Sequence, residues 1–148
     1  MNDITAQLSH NRILIATLCA WIGAQTIKVV IGVITQRRFD FRWFVGSGGM
    51  PSSHASGASC LAAIIGITQG FDSVYFALAA SFAIVVMFDA QGVRRAAGRQ
   101  ARILNRITED IYWKGRINET RLRELIGHTP MEVIMGCLLG IVIAICFS

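Results

Sequence analysis

The chain has 148 residues, a length that fits a single domain over 1–148, and 53% of them are hydrophobic against 16% charged, with a mean hydropathy of +0.53. That composition is too apolar for an ordinary soluble domain. The formal charge of +5 is not expected to serve nucleic acid, because the chain carries no recognition module and basic residues beside membrane spans face anionic head groups or phosphates.

No short apolar segment leads to a small-residue cleavage site, so no signal peptide is expected. A membrane span takes roughly 17–25 mostly apolar residues. The first runs from Ile13 to Ile34, interrupted only by Gln25, Thr26 and Lys28. A second, from about Ala55 to Thr68, is short and rich in Ala, Gly and Ser, the composition of a helix packed tightly among other helices. Gly70-Phe71-Asp72 makes a tight turn into a third span, Phe71 to Phe88. In the polar stretch from Asp89 to His128, Arg95, Arg99, Arg102 and Arg106 recur at three- or four-residue steps, with Ala97, Ala101 and Leu104 on another face. That pattern predicts an amphipathic helix at the membrane interface. Lys114 to Asn118 reads as a turn, and Glu119 to Ile126 as a second short helix. Met131 to Phe147 is the last span. The predicted fold is all-α: a multi-pass membrane helical bundle of about four spans with an interfacial amphipathic helical segment.

Sidedness follows from the basic residues. Arg37, Arg38 and Arg42 follow the first span, and nine more lie between Arg94 and Arg123, so twelve of the fourteen Lys and Arg residues share one side. The positive-inside rule makes that side cytoplasmic and both termini external, as expected of an integral protein of the cell membrane. The four cysteines, Cys19, Cys60, Cys137 and Cys146, all fall in apolar runs without C-x-x-C or zinc-type spacing, so neither disulfides nor a metal is expected.

Ionisable groups at membrane depth ask for a functional reason, and two histidines stand at the mouths of apolar runs. His54 closes Gly48-Gly49-Met50-Pro51-Ser52-Ser53-His54. Ser52 and Ser53 can cap the helix that follows, or the free N–H groups there can bind a phosphate, with the glycines letting backbone approach a ligand. His128 and Glu132 are four apart and share a helix face, so the carboxylate can fix the imidazole tautomer and leave the other nitrogen nucleophilic. Thr129-Pro130-Met131-Glu132 equally fits a capping box, in which Glu132 turns back to the Thr129 N–H. Lys28 can snorkel to the interface or join His54 and His128 at one depth, where Arg94 and Arg95 also fall. The set is rich in phosphate ligands and poor in metal ligands.

These blocks resemble the divergent branch of the type 2 phosphatidic acid phosphatases, relatives of the acid phosphatases and vanadium haloperoxidases. The resemblance rests on Gly49 to His54, Phe88 to Gly98, Leu104-Asn105 and Glu124 to Val133, in that order along most of the chain. It implies a nucleophilic histidine, His128, that forms a phosphohistidine, with Glu132 orienting it. It also implies that His54 protonates the leaving oxygen while Lys28, Arg94 and Arg95 hold the phosphate, helped by backbone N–H groups near Ser52 and Ser53. No cofactor is needed, since fixed cations and N–H groups stabilise the transition-state charge. The chain departs from the wider superfamily at Ser53, which replaces the glycine of the histidine motif, and at Leu122, six residues before His128, where an arginine is usual. The resemblance implies a metal-independent phosphatase acting on a lipid phosphate or polyprenyl (pyro)phosphate. The alternative is a pocket that binds or carries a phosphorylated or anionic lipid without cleaving it, and a third possibility is a scaffold whose basic helix touches anionic head groups.

Overall fold

The structure, a computed structural model, describes residues 4–37, 39, 49–92, 98, 100–105, 107–108 and 128–148. A short helix, α1 (Ile4–His10), leads into α2 (Arg12–Gln36), whose start is capped by Asn11 accepting from the Leu14 N–H at 3.0 Å. Arg37, in the left-handed region at φ 50°, closes α2 and donates its N–H to the Val33 carbonyl. Next come α3 (Ser53–Gln69), α4 (Val74–Gln91) and α5 (Pro130–Phe147). Residues 98, 100–105 and 107–108 are helical as well, so part of the predicted amphipathic helix forms. Arg95, Arg99 and Arg106, the 114–118 turn and the 119–126 helix lie outside the described residues.

No strand occurs among the described residues, and α2, α4 and α5 are each long and apolar enough to cross a membrane. The helix at 53–69 is the shortest of the four and occupies the centre: α3 packs against α2, α4 and α5, whereas α2 and α4 do not meet. Its small residues explain that place. Without water to expel between them, helices in lipid associate through close packing, which small side chains permit. Ala16, Ala20 and Ala24 put a four-residue stripe of α2 in the interior, and Ala16 and Ala20 meet Cys60, Ile64 and Ala144. Ala58 and Ala62 of α3 meet Ala79 and Ala83 of α4. The large side chains point outward, among them Leu18, Trp21, Ile22, Phe82, Val85 and Phe88.

The α3–α5 contact is the tightest. A Cβ at Gly136 would run into the Ser52 carbonyl oxygen, and one at Gly140 into the Ser56 carbonyl and the Ser59 hydroxyl. Side-chain hydrogen bonds also join helices: Ser59 Oγ donates to the Cys137 carbonyl (3.1 Å) and Ser56 Oγ to that of Ala20 (3.0 Å). The turn at 70–72 forms as predicted, with Gly70 at φ 90°, a conformation that disfavours other residues. It displaces the start of α4 to Val74, three residues past the predicted Phe71, because Ser73 serves as cap, accepting from the Phe76 N–H at 3.1 Å.

Candidate functional site

Four chain segments meet at one end of the bundle. The Ser52 N–H donates to the Glu132 carbonyl (2.9 Å), tying the start of α3 to the first turn of α5. The His128 N–H donates to the Ala90 carbonyl (3.1 Å), tying the segment before α5 to the last turn of α4. Below these junctions Ala55, Ala90 and Val133 form a small apolar floor.

His128 is 1% exposed, and its Nδ1 lies 2.9 Å from Glu132 Oε2. A carboxylate can only accept, so Nδ1 carries the proton and Nε2 keeps its lone pair. That Nε2 is buried and makes no hydrogen bond among the described residues. A buried polar atom without a partner calls for an explanation, and a reactive or ligand-binding nitrogen supplies one. The half-buried His54 ring stands 6.2 Å from His128, centre to centre, at an interplanar angle of 59°.

The two alternatives posed by the spacing of His128, Thr129 and Glu132 are both realised. Glu132 Oε2 accepts from His128 Nδ1 and also from the Thr129 N–H (3.1 Å), while Thr129 Oγ1 accepts from the Glu132 N–H (3.4 Å). One carboxylate oxygen thus orients the imidazole and caps α5.

Ser52 is fully buried and acts as the cap of α3, its hydroxyl accepting from the Ala55 N–H at 3.3 Å. Its own N–H is engaged with Glu132, as described, and Ser53 is buried in the first turn of α3. Gly49, at φ 85°, lies against the stem of Lys28, where a Cβ would be 3.3 Å from Lys28 Cγ; Gly48 lies outside the described residues. Lys28 is 8% exposed, and the charge of Glu132 reaches it. The structure therefore gathers His54, His128, Glu132, Lys28, Ser52 and Ser53 at one end. Arg94 and Arg95 lie outside the described residues; the chain leaves α4 at Gly92, two residues after the Ala90 carbonyl that holds His128. Gln25, which the sequence shows only as an interruption of the first span, is buried at 7% exposure beside Lys28. Its three-residue spacing from Lys28 on one helix face was the available signal. Among the described residues no three His, Cys, Asp or Glu side chains gather as metal ligands do.

Residues 9–143 match the family described as the divergent PAP2 family. A membrane protein of Bacillus subtilis (strain 168), YuiD, described as uncharacterized, is 39% identical over 152 aligned residues covering 94% of this chain and 95% of the relative. No solved structure matches the chain.

Proposed function

The chain belongs to the divergent PAP2 family, and from that footing we propose that it is a membrane phosphatase that hydrolyses a lipid phosphate or polyprenyl (pyro)phosphate through a phosphohistidine, without a metal. The observation that carries this reading is His128: a buried imidazole held through Nδ1, whose Nε2 has no partner among the described residues, beside a second histidine and a buried lysine.

In this reading Nε2 of His128 attacks phosphorus. The bond from phosphorus to the leaving oxygen breaks, and His54 gives that oxygen a proton. Water then attacks the phosphohistidine and gives a proton to His54 as the bond from Nε2 to phosphorus breaks, so phosphate leaves with both histidines restored. Lys28 balances the phosphoryl charge, and Arg94 and Arg95 are assigned the same task from the family resemblance. Glu132 stabilises the imidazole in the orientation that aims Nε2.

The depth of Lys28 supports a substrate that arrives within the bilayer. Beyond Lys28, α2 continues from Val29 to Gln36, about 12 Å at 1.5 Å per residue, and Val30, Ile31 and Ile34 on that extension expose apolar surface. A phosphate delivered on an apolar chain reaches that depth with its tail still in lipid. The two basic segments adjoin this end in sequence, following α2 and α4, and by the positive-inside rule we assign it to the cytoplasmic side.

The test is phosphate release by the purified, solubilised protein from a panel of lipid phosphates and polyprenyl pyrophosphates, with EDTA present. Release that persists in EDTA and is lost in His128→Ala is the expected outcome. Undiminished release by His128→Ala would overturn the mechanism. Phosphate binding without release, in folded protein, would assign the pocket to holding or carrying a phosphorylated lipid.

A further inference from the structure

We propose that Gln25 is a positioning residue that holds the Lys28 ammonium in place for a phosphate group, an inference that rests on the phosphate-site reading above. A buried amide in an apolar span is unfavourable unless it is hydrogen-bonded. Gln25 is 7% exposed and Lys28 8%, and Lys28 Nζ donates to Gln25 Oε1 at 3.1 Å. The two lie three residues apart on one face of α2, the spacing at which helical side chains meet.

A lysine has a long, flexible stem, and a free ammonium in a cavity would sample many positions. Here both ends of the stem are constrained. Gly49 lies against it, where a Cβ would sit 3.3 Å from Cγ and 3.4 Å from Cδ. Gln25 holds the tip. An ammonium has three N–H donors; Gln25 takes one, and among the described residues the other two remain for an anion.

The choice of amide over carboxylate is what makes this a phosphate-positioning arrangement. A glutamate at position 25 would form an ion pair with Lys28 and cancel the charge that attracts a dianion. An amide oxygen orients the same ammonium and leaves its charge intact.

The chain contains only two lysines, Lys28 and Lys114, which permits a direct spectroscopic test. The full-length protein in lipid nanodiscs, labelled with carbon-13 and nitrogen-15 at the lysine tips, gives two signals that Lys114→Arg assigns. It is titrated with inorganic phosphate and, separately, with a short-chain phosphatidic acid; a response to the second alone identifies the lipid head group as the ligand. In the wild-type protein the Lys28 signal is expected to move on titration. Gln25→Met should shift that signal in the free protein and weaken phosphate binding about tenfold to a hundredfold, the effect of losing one hydrogen bond to a charged group. Gln25→Glu, which keeps the volume and the acceptor, should weaken it at least as much, whereas a purely structural role for Gln25 predicts that this isostere binds normally. Wild-type affinity in either folded variant would overturn the inference. If the wild-type Lys28 signal ignores both ligands, the phosphate-site reading itself fails, whatever the Gln25 variants do.

Discussion

Glu132 has two tasks on one oxygen, and they can be separated. Glu132→Gln keeps an amide oxygen that can accept the Thr129 N–H, so the first turn of α5 should survive with stability changed by no more than about 1 kcal/mol. The imidazole fares worse, because a neutral amide oxygen in the carboxylate's place holds the Nδ1–H less firmly and no longer balances positive charge on the ring. Under the phosphatase reading, turnover should then fall on the order of 10²–10⁴-fold, the scale seen when an orienting carboxylate is replaced by its amide. Thr129→Ala should do the reverse, lowering stability by about 1 kcal/mol while leaving most of the turnover, because the Glu132–His128 contact remains. Thermal melts and initial rates on the same preparations check both. If the two variants lower activity and stability in parallel, orientation and capping are not separable.

The helices follow a rule that hydrophobic periodicity does not capture. They are apolar nearly all round, so no polar face marks the side that meets solvent and none marks the core. Size sorts the residues instead, as Ala16, Ala20 and Ala24 facing inward against Leu18, Trp21 and Ile22 facing outward illustrate. The centrality of α3 was therefore legible, because Ala55 to Thr68 is visibly the small-residue segment. The start of α4 was less so, since Phe71 is apolar yet belongs to the turn that Ser73 closes. The segment of α1 has no length or pattern to announce a helix.

At the site, the residue types, the spacing of His128 and Glu132 and the competing capping box could all be read from the sequence, but not that the two arrangements coexist. Positions 129 and 132 satisfy both arrangements, and only coordinates show one oxygen serving the two. Gln25 escaped notice because a lone amide in a span looks like an interruption until its partner is seen. The tightness of the α3–α5 contact yields a test at this scale. Gly136→Ala and Gly140→Ala should each destabilise the protein by about 1–3 kcal/mol, the range for overpacking a close contact, because the new methyl meets backbone that cannot yield. Gly23→Ala is the control: its Cβ would meet only Ile143 Cδ1 at an ordinary 3.7 Å, so it should be neutral or slightly stabilising. Unfolding in mixed detergent measures all three, and equal melting temperatures would contradict this packing.

For the whole molecule, the contacts of Ser52 with Glu132 and of His128 with Ala90 bring the ends of both basic segments to one end of the bundle. α5 starts at that end, so its passage through the membrane leaves the C-terminus on the opposite side. A reporter active only outside the cytoplasm, fused after Ser148, should give signal in intact cells; a silent fusion, with a cytoplasmic reporter positive at the same place, would reverse the orientation. The seam between α3 and α5 has a mechanical consequence. His54 belongs to α3 and His128 adjoins α5, so with no slack between those helices the two rings form a fixed jaw. Lys28 rides on α2, which meets α3 and α5 but not α4 and is held to α3 by the Ser56–Ala20 hydrogen bond, so the facing cation is set by how α2 seats on those two helices. Under the phosphatase reading, exchanging Ala16, Ala20 or Ala24 for bulkier residues would move α2, and Lys28 with it, relative to the two histidines without touching the groups that do the chemistry.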